Sequence, residues 1–350
     1  MVAMKLGLQL GYWGATPPAG TAELVAEAER VGFDAVFAAE SWGSDAFTPL
    51  AWWGSATSRV RLGTSVAQLS ARTPTACAMH ALTLDHLSNG RAILGLGVSG
   101  PQVVEGWYGA PFGKPLARTR EYVSIIRQVL AREAPVTNAG PHYPLPYKGT
   151  LGKPLRSIVH PLRRELPIWL GAEGPRNVAL AGEIADGWLA IYYSPRLAEE
   201  YNGWLSAGFA RRGERPEAFE VAASAQVVIT DDHGGAIDNL RPVVALYAGG
   251  MGAATKNFHA DVFTRMGYGS TVEEIGRLFR AGRKEEAAAA VPDELVDEIA
   301  IIGSAAEVRD RIQHWEKSGV TMMLVSCGDI GQVRAVADAV LDNAVKHVLD

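Results

Sequence analysis

Cysteine is scarce in this chain of 350 residues, with only Cys77 and Cys327, far apart in the sequence. They fit neither a disulfide framework nor a Cys-x-x-Cys motif, and a reducing cytoplasm is the expected compartment. Basic charge is not in excess either. The formal net charge is −5 and no long basic run appears, which argues against a general nucleic-acid binder. Long apolar runs are also missing. The opening MVAMKLGLQLGYWG is short and broken by Gly7, Gly11 and Gly14, and the stretch 242–255 is cut by Gly249, Gly250 and Gly252. Neither reads as a signal peptide or a membrane span. The histidines lack ligand spacing: His80 and His86 sit off one helix face, and His160, His233 and His259 are isolated. No metal site is expected.

What is present is material for one large core, at 48% hydrophobic and 20% charged residues. Short apolar runs alternate with helix-periodic segments almost throughout. The runs are Lys5 to Leu10, Ala35 to Glu40, Arg61 to Ala67, Arg91 to Gly97, Pro167 to Ala172, Gly187 to Tyr193, Phe219 to Thr230 and Thr321 to Ser326. Thr21, Leu24, Val25, Ala28 and Val31 show the 3/4 spacing of a helix with one buried face. Further helices are expected over 49–57, 75–87, 118–131, 176–185 and 332–348.

Continuously apolar strands separated by helices imply a parallel sheet covered by helices. Right-handed crossovers leave a closed barrel or an open doubly wound sheet. We read a TIM (β/α)8 barrel, one domain over 1–350, since this length suits such a barrel with an insertion. The segment 236–296 is helical and richer than one crossover needs, so a helical insertion is placed there. The stretch 135–167 has no periodicity, and so long a loop is either functional or misread.

Gly95, Gly97 and Gly100 spell G-x-G-x-x-G after a strand, which invites a dinucleotide-binding reading. Three features oppose it. The motif follows the fourth strand, no acidic residue ends a following strand about 20 residues on, and Pro101 with Trp107 and Tyr108 is no glycine-loop helix. What remains is a crowded bend or a close approach to a cofactor. Gly171-Ala172-Glu173-Gly174-Pro175 is more informative, because a strand precedes it and Pro175 opens a helix. It is either an anion-binding turn or a tight turn with nothing bound.

Four stretches then appear in order: GTSVAQLSARTP (63–74), HLSNGRAILGLGVSG (86–100), LPIWLGAEGP (166–175) and EIADGW (183–188). Together with NFHADVFTRMGYG (257–269) and 291–312, they resemble the luciferase-like monooxygenase superfamily, and within it the branch using the deazaflavin coenzyme F420. The resemblance spans nearly the whole chain. It implies a luciferase-like barrel, a homodimer and a bulge in the third strand with a cis peptide at Ser65-Val66, where Val66 backs the cofactor ring. It also makes Gly171 to Pro175 the phosphate-binding turn, with Gly171 and Ala172 cofactor-binding and the Glu173 main chain, Gly174 and Pro175 as phosphate contacts. Ser99 and Gly100 would lie at the ring's polar edge, and Gln68 at the ring or ribityl chain, unless it is a solvated loop amide.

Relatives often carry an acidic residue and then histidine at the end of the second strand. Here Glu40 is followed by Ser41, and Gly100-Pro101 stands where a related sugar-phosphate dehydrogenase has a glutamate. Glu40 is the leading residue for proton transfer or substrate orientation, or else a structural carboxylate, with Glu105 second. Tyr12, Trp13, Trp42, Trp107, Tyr192 and Tyr193 could wall a flat pocket or pack in the core. Arg72, Lys148, Lys153, Arg156 and Arg176 could meet an anionic cofactor tail or simply face water. The expected function is F420-dependent hydride transfer with a small organic substrate. The alternatives are an FMN-dependent two-component monooxygenase and a non-catalytic binding barrel.

Overall fold

The computed structural model describes residues 4–149, 151–252 and 257–341. In it the apolar runs become strands β1 (Lys5–Gln9), β2 (Ala35–Ala38), β3 (Arg61–Thr64), β4 (Ala67–Gln68), β5 (Ala92–Gly97), β6 (Ile168–Gly171), β7 (Gly187–Ala190), β8 (Glu220–Ser224), β9 (Gln226–Ile229) and β11 (Met322–Val325). A strand the sequence reading did not expect, β10 (Ala300–Gly303), lies between β9 and β11 in the chain. One parallel sheet runs in the order β3-β2-β1-β11-β8-β7-β6-β5-β4, and β3 also pairs with β5, which closes the ring. Because β3 and β4 are halves of one interrupted strand, the ring has eight staves. It is the (β/α)8 barrel that the alternation of strands and helices predicts.

The interruption is a bulge. Gly63 pairs with Ile93 and Ala67 with Leu96, so four steps along one strand face three along the other. The Ser65-Val66 peptide in this bulge is cis, as the resemblance implies. Thr64 takes over the broken ladder: Gly95 N–H donates to Thr64 Oγ1 at 2.9 Å, and that hydroxyl donates to Gly95 O at 2.7 Å. Side chains alternate along the strands. Phe37, Ile93, Trp169, Leu189, Met322 and Leu324 fill the barrel interior, while a larger apolar layer lies between strands and helices. The N-terminal end is closed by charge, with Glu220 held by Lys5 at 2.6 Å and by the Thr321 hydroxyl at 2.7 Å, and Arg61 paired with Asp34. In barrels that end serves stability, and chemistry sits at the other.

The strand expected over 219–230 is in fact two. After β8 the chain leaves the barrel at Ala225, and β9 pairs in parallel with β10 in a separate two-stranded sheet. Between them run helices His233–Ala245, Phe258–Phe263, Gly269–Arg280, Lys284–Ala289 and Asp293–Ile299 around a core of their own that includes Phe263, Ile275 and Leu295. The excursion therefore reaches from Gln226 to Gly303, wider than 236–296, because a strand pair brackets it. Two wide π-type turns, Leu246–Gly250 and Thr264–Tyr268, interrupt its helices. The closing helix is Ile330–Val340, and the rest of its expected span lies outside the described residues. The described residues of 135–167 form no helix and a single bridge, Asn138 to Leu145. They are tied to the helix Pro74–Leu87 by Arg163 on Asp85 (2.7 Å) and by His86 Nε2 against His160 O (2.8 Å). Among the described residues, no helix is long and apolar enough to cross a membrane.

Candidate cofactor site

The C-terminal ends of the strands surround a cavity of about 520 Å3, within the range of small-molecule and cofactor sites. The leading candidate and all the expected cofactor contacts line it: Glu40, Ser65, Val66, Gln68, Ser99, Gly100, Gly171, Ala172, Glu173, Gly174 and Pro175. The fold brings them together from the loop after β2, the bulge between β3 and β4, the end of β4, the loop after β5, and the end of β6 with the turn that follows it.

Val66 forms an apolar wall of the cavity, and glycines set its position. A Cβ on Gly97 would lie 2.3 Å from Val66 Cγ2, and one on Gly171 would lie 3.0 Å from Cγ1. A Cβ on Gly95 would lie 1.9 Å from the Thr64 carbonyl oxygen. The G-x-G-x-x-G pattern is thereby explained without a dinucleotide: Gly95 and Gly97 let β5 pass close to the bulge. Gly100 then caps the short helix Pro101–Gly106.

Gln68 is buried at 4% exposure, so its amide is no solvated loop group. Its Nε2 donates to Glu40 O at 3.0 Å, while Oε1 has no partner. A buried acceptor without a donor is costly in an apolar setting. On a cavity wall it fits the hydroxyl or N–H of a bound group. The Gly171–Pro175 turn leads into the helix Pro175–Ile184, capped by Gly174 without a side-chain hydrogen bond. A Cβ on Gly174 would meet nothing within 4 Å, so ligand atoms can approach the backbone there.

Glu40 sits where the sequence places it, but it is not a free acid. Arg72 grips both carboxylate oxygens, Nη1 donating to Oε2 at 3.0 Å and Nη2 to Oε1, and the Gln68 N–H donates to Oε2 at 2.7 Å. The geometry is that of an orienting carboxylate fixed by its donors. Glu105 accepts from Phe112 N–H and is not on the cavity wall. Of the aromatics, Tyr12 and Trp42 line the cavity. Trp13 instead packs on Trp53, Tyr193 donates to Ser318 O from within the core, and Tyr192 packs on Phe263. These latter positions follow from strand alternation and from the early end of β7 at Ala190. Trp107 is exposed and off the cavity wall. Of the basic residues, Arg176 reaches the cavity, Arg72 is taken by Glu40, and Lys148, Lys153 and Arg156 do not line it.

The sequence reading missed a wall supplied by the excursion. Tyr247, Phe258, His259, Asp261 and Arg265 line the cavity, as do Gln9 and Ser224 at strand ends, joined at 2.9 Å. Tyr247 and Arg265 are each carried by one of the π-type turns, a distortion often found at functional sites. His259 follows Asn257, whose side chain accepts from the His259 and Ala260 N–H groups and starts its helix. That cap lies in the stretch 257–269 already noted, but nothing in the sequence tells which barrel loop it meets. Among the described residues, no cluster of His, Cys, Asp and Glu could hold a metal.

A sequence profile described as luciferase-like monooxygenase matches residues 4–322. The chain belongs to the luciferase-like monooxygenase family. Among relatives of this luciferase-like chain, a protein of Mycobacterium tuberculosis provisionally named a coenzyme F420-dependent oxidoreductase is 67% identical, covering 95% of this chain and 98% of that one. A 5,10-methylenetetrahydromethanopterin reductase of Archaeoglobus fulgidus is 28% identical over 85% of this chain and 86% of its own. The solved structure of the coenzyme F420-dependent tetrahydromethanopterin reductase from Methanopyrus kandleri superposes with a TM-score of 0.78 at 25% identity, covering 98% of this chain and 99% of that chain.

Proposed function

We propose that this luciferase-like protein is an F420-dependent oxidoreductase that moves hydride between the deazaflavin and a small organic substrate. The observation that carries the reading is one cavity holding three parts at once. They are an apolar wall at Val66 given room by Gly97 and Gly171, an unpartnered buried acceptor on Gln68, and an open helix start at Gly174. These parts fit a tricyclic ring, a polyhydroxyl chain and a phosphate respectively. The highly identical mycobacterial relative, named for the same cofactor, supports it.

The deazaflavin, when bound, supplies hydride and does not readily activate oxygen. The chain's own residues bind and orient. Val66 backs the ring, Ser99 and Gly100 meet its polar edge, and Gln68 Oε1 accepts from the side chain of the cofactor. The Gly171–Pro175 turn meets the phosphate with main-chain N–H groups and the positive end of its helix. Glu40, fixed by Arg72, holds Gln68 in place through both a main-chain and a side-chain hydrogen bond. Tyr12, Trp42, Tyr247 and Phe258 exclude water from the remaining space, where the small-molecule substrate is placed.

Binding of F420 and of FMN to the purified apoprotein, by fluorescence quenching or calorimetry, tests the proposal. Micromolar or tighter F420 with much weaker FMN is expected. The reverse preference would move the chain to the oxygen-using branch, where reduced FMN comes from a partner reductase. Binding without any F420H2-driven reduction across a panel of alkenes, imines and carbonyls would favour the non-catalytic barrel.

A homodimer and a cytoplasmic location belong to the same proposal. Leu151, Leu155 and Ile158 are exposed in the aperiodic segment, and Leu87 is exposed on the helix that segment is tied to. Large exposed apolar side chains gathered in one region commonly mark an interface, and a second copy is the expected occupant. Ile158→Asp should shift the species seen by light scattering from dimer to monomer, and an unchanged mass would remove this face as the contact.

A further inference from the structure

Glu173, at the centre of the Gly171–Pro175 turn, is held from both of its ends by the excursion. Its carboxylate Oε1 meets His259 Nδ1 at 2.5 Å, and its carbonyl oxygen accepts from Arg265 Nη2 at 2.6 Å. The two donors come from separate pieces of the excursion, the helix Phe258–Phe263 and the π-type turn Thr264–Tyr268. Both are themselves anchored. The His259 ring packs edge-on against Tyr247 at 4.8 Å and Tyr192 at 6.0 Å, and the Asn257 cap bonds Tyr247 O at 2.8 Å. Arg265 also stacks on Trp204 at 5.9 Å. A barrel loop of five residues, three of them small, is thus immobilised by groups more than 80 positions away in the chain.

We propose that His259 and Arg265 are positioning residues that fix the Gly171–Pro175 turn in its anion-binding form, so that the excursion sets affinity for the phosphate of the cofactor. The inference rests on the reading above that this turn meets a phosphate. Three physical points carry it. Fixing the Glu173 carbonyl orients the peptide whose N–H belongs to Gly174, the cap of the helix start. Taking up the Glu173 carboxylate with an imidazole keeps a negative charge from pointing at an incoming anion. Arg265 itself lines the cavity and, with Arg176, adds positive charge at that side. Asp261, on the same helix, opposes them in charge and also lines the cavity. That the cavity expects a ligand has separate support in Gln68 Oε1, which is buried with no partner. Preorganisation of this kind raises affinity by removing an ordering cost from binding.

The test needs no substrate. Dissociation constants of F420 and of its phosphate-free deazaflavin riboside are measured by fluorescence on wild type and on His259→Ala, His259→Asn, Arg265→Met and Arg265→Lys. His259→Ala and Arg265→Met should each weaken F420 about tenfold, the scale of a lost hydrogen bond to a charged group, and leave the riboside within about twofold. His259→Asn, which keeps a donor near Nδ1, should recover most of the loss. Adding Glu173→Ala to His259→Ala should cost little more, since His259 acts through that carboxylate. Equal weakening of both ligands, or none, would overturn the inference while leaving the F420 assignment standing. If wild type prefers FMN, the assignment falls and the FMN and riboflavin pair asks the same question, with the same selectivity expected. If it binds no flavin or deazaflavin, both readings fall. Melting temperatures identify any variant that merely unfolds, and Arg265→Lys and His259→Asn then carry the test.

Discussion

Glu40 and Arg72 form a doubly bonded ion pair at the barrel mouth, with side chains only 3% and 13% exposed. The pair ties the loop after β2 to the loop after β4. It also fixes the position of Gln68, whose main-chain N–H it accepts.

Removing one partner of a buried pair leaves the other charged and unpaired. Arg72→Met should therefore destabilise the fold by about 3 kcal/mol, read from the urea midpoint, and should also weaken cofactor binding. Arg72→Lys cannot reproduce the two-pronged contact and should fall between the two. A midpoint for Arg72→Met within error of wild type would show that the pair contributes neither stability nor position.

The glycines around the bulge should separate packing from binding. Gly95→Ala drives a methyl into the Thr64 carbonyl, and overpacking of this kind costs about 1–3 kcal/mol or more. Gly174→Ala meets open space, so its melting temperature should match wild type while F420 affinity drops, because the methyl occupies the approach to the helix start. Normal binding by Gly174→Ala would show that the ligand does not come close to that backbone.

Acid stability should report on the closed end of the barrel. Burial pushes the Glu220 carboxyl up, but the hydrogen bonds from Lys5 and Thr321 and the charge of Arg61 outweigh it and hold it below the usual range. A depressed carboxyl stabilises the fold above its unfolded value, and the contribution is lost as pH falls from that ordinary carboxylate value through the lower folded one. Wild type should thus hold its stability at neutral pH and lose it on acidification below about pH 4.5. Glu220→Gln should be less stable at pH 7 and flatter below that point. Parallel curves for the two proteins would rule out this carboxylate as a contributor.

Both thiols should be inert. Burial pushes Cys77 up to about 11 and Cys327 up to about 12, so neither forms appreciable thiolate near neutral pH. Native protein should react slowly with a thiol reagent at pH 8, and two thiols should appear on denaturation. Cys327 is only half-buried, so rapid labelling of it in the folded state would contradict its raised thiol pKa.

Much of the site was legible in the sequence because its residues fall at strand ends. The alternation of apolar runs and helical periods names the strands, and in a parallel barrel every strand's C-terminal end points at one place. The family resemblance assigns Val66, Gln68, Ser99 and Glu173 to one site, and their places at strand ends agree with it. The same logic could not tell that Glu40 is gripped by Arg72. That contact depends on how two loops approach each other, which local pattern does not encode. The pattern likewise could not divide 219–230, since β8 and β9 are equally apolar and only their partners differ: β7 and β11 for one, β10 for the other.

The sequence by itself determined the period of each element, the alternation of strands and helices and the small residues along β5, while closure of the ring was one of two solutions and the bulge at Val66 came from the family resemblance. These are properties of a residue and its near neighbours, or of a repeat that has only a few closed solutions. The tertiary structure alone decided that His259 and Arg265 meet Glu173, that Gln68 keeps an unpartnered oxygen, and that the excursion roofs the cavity. Each of these needs two distant segments to arrive at hydrogen-bonding distance, and that distance is set by the packing of the whole barrel.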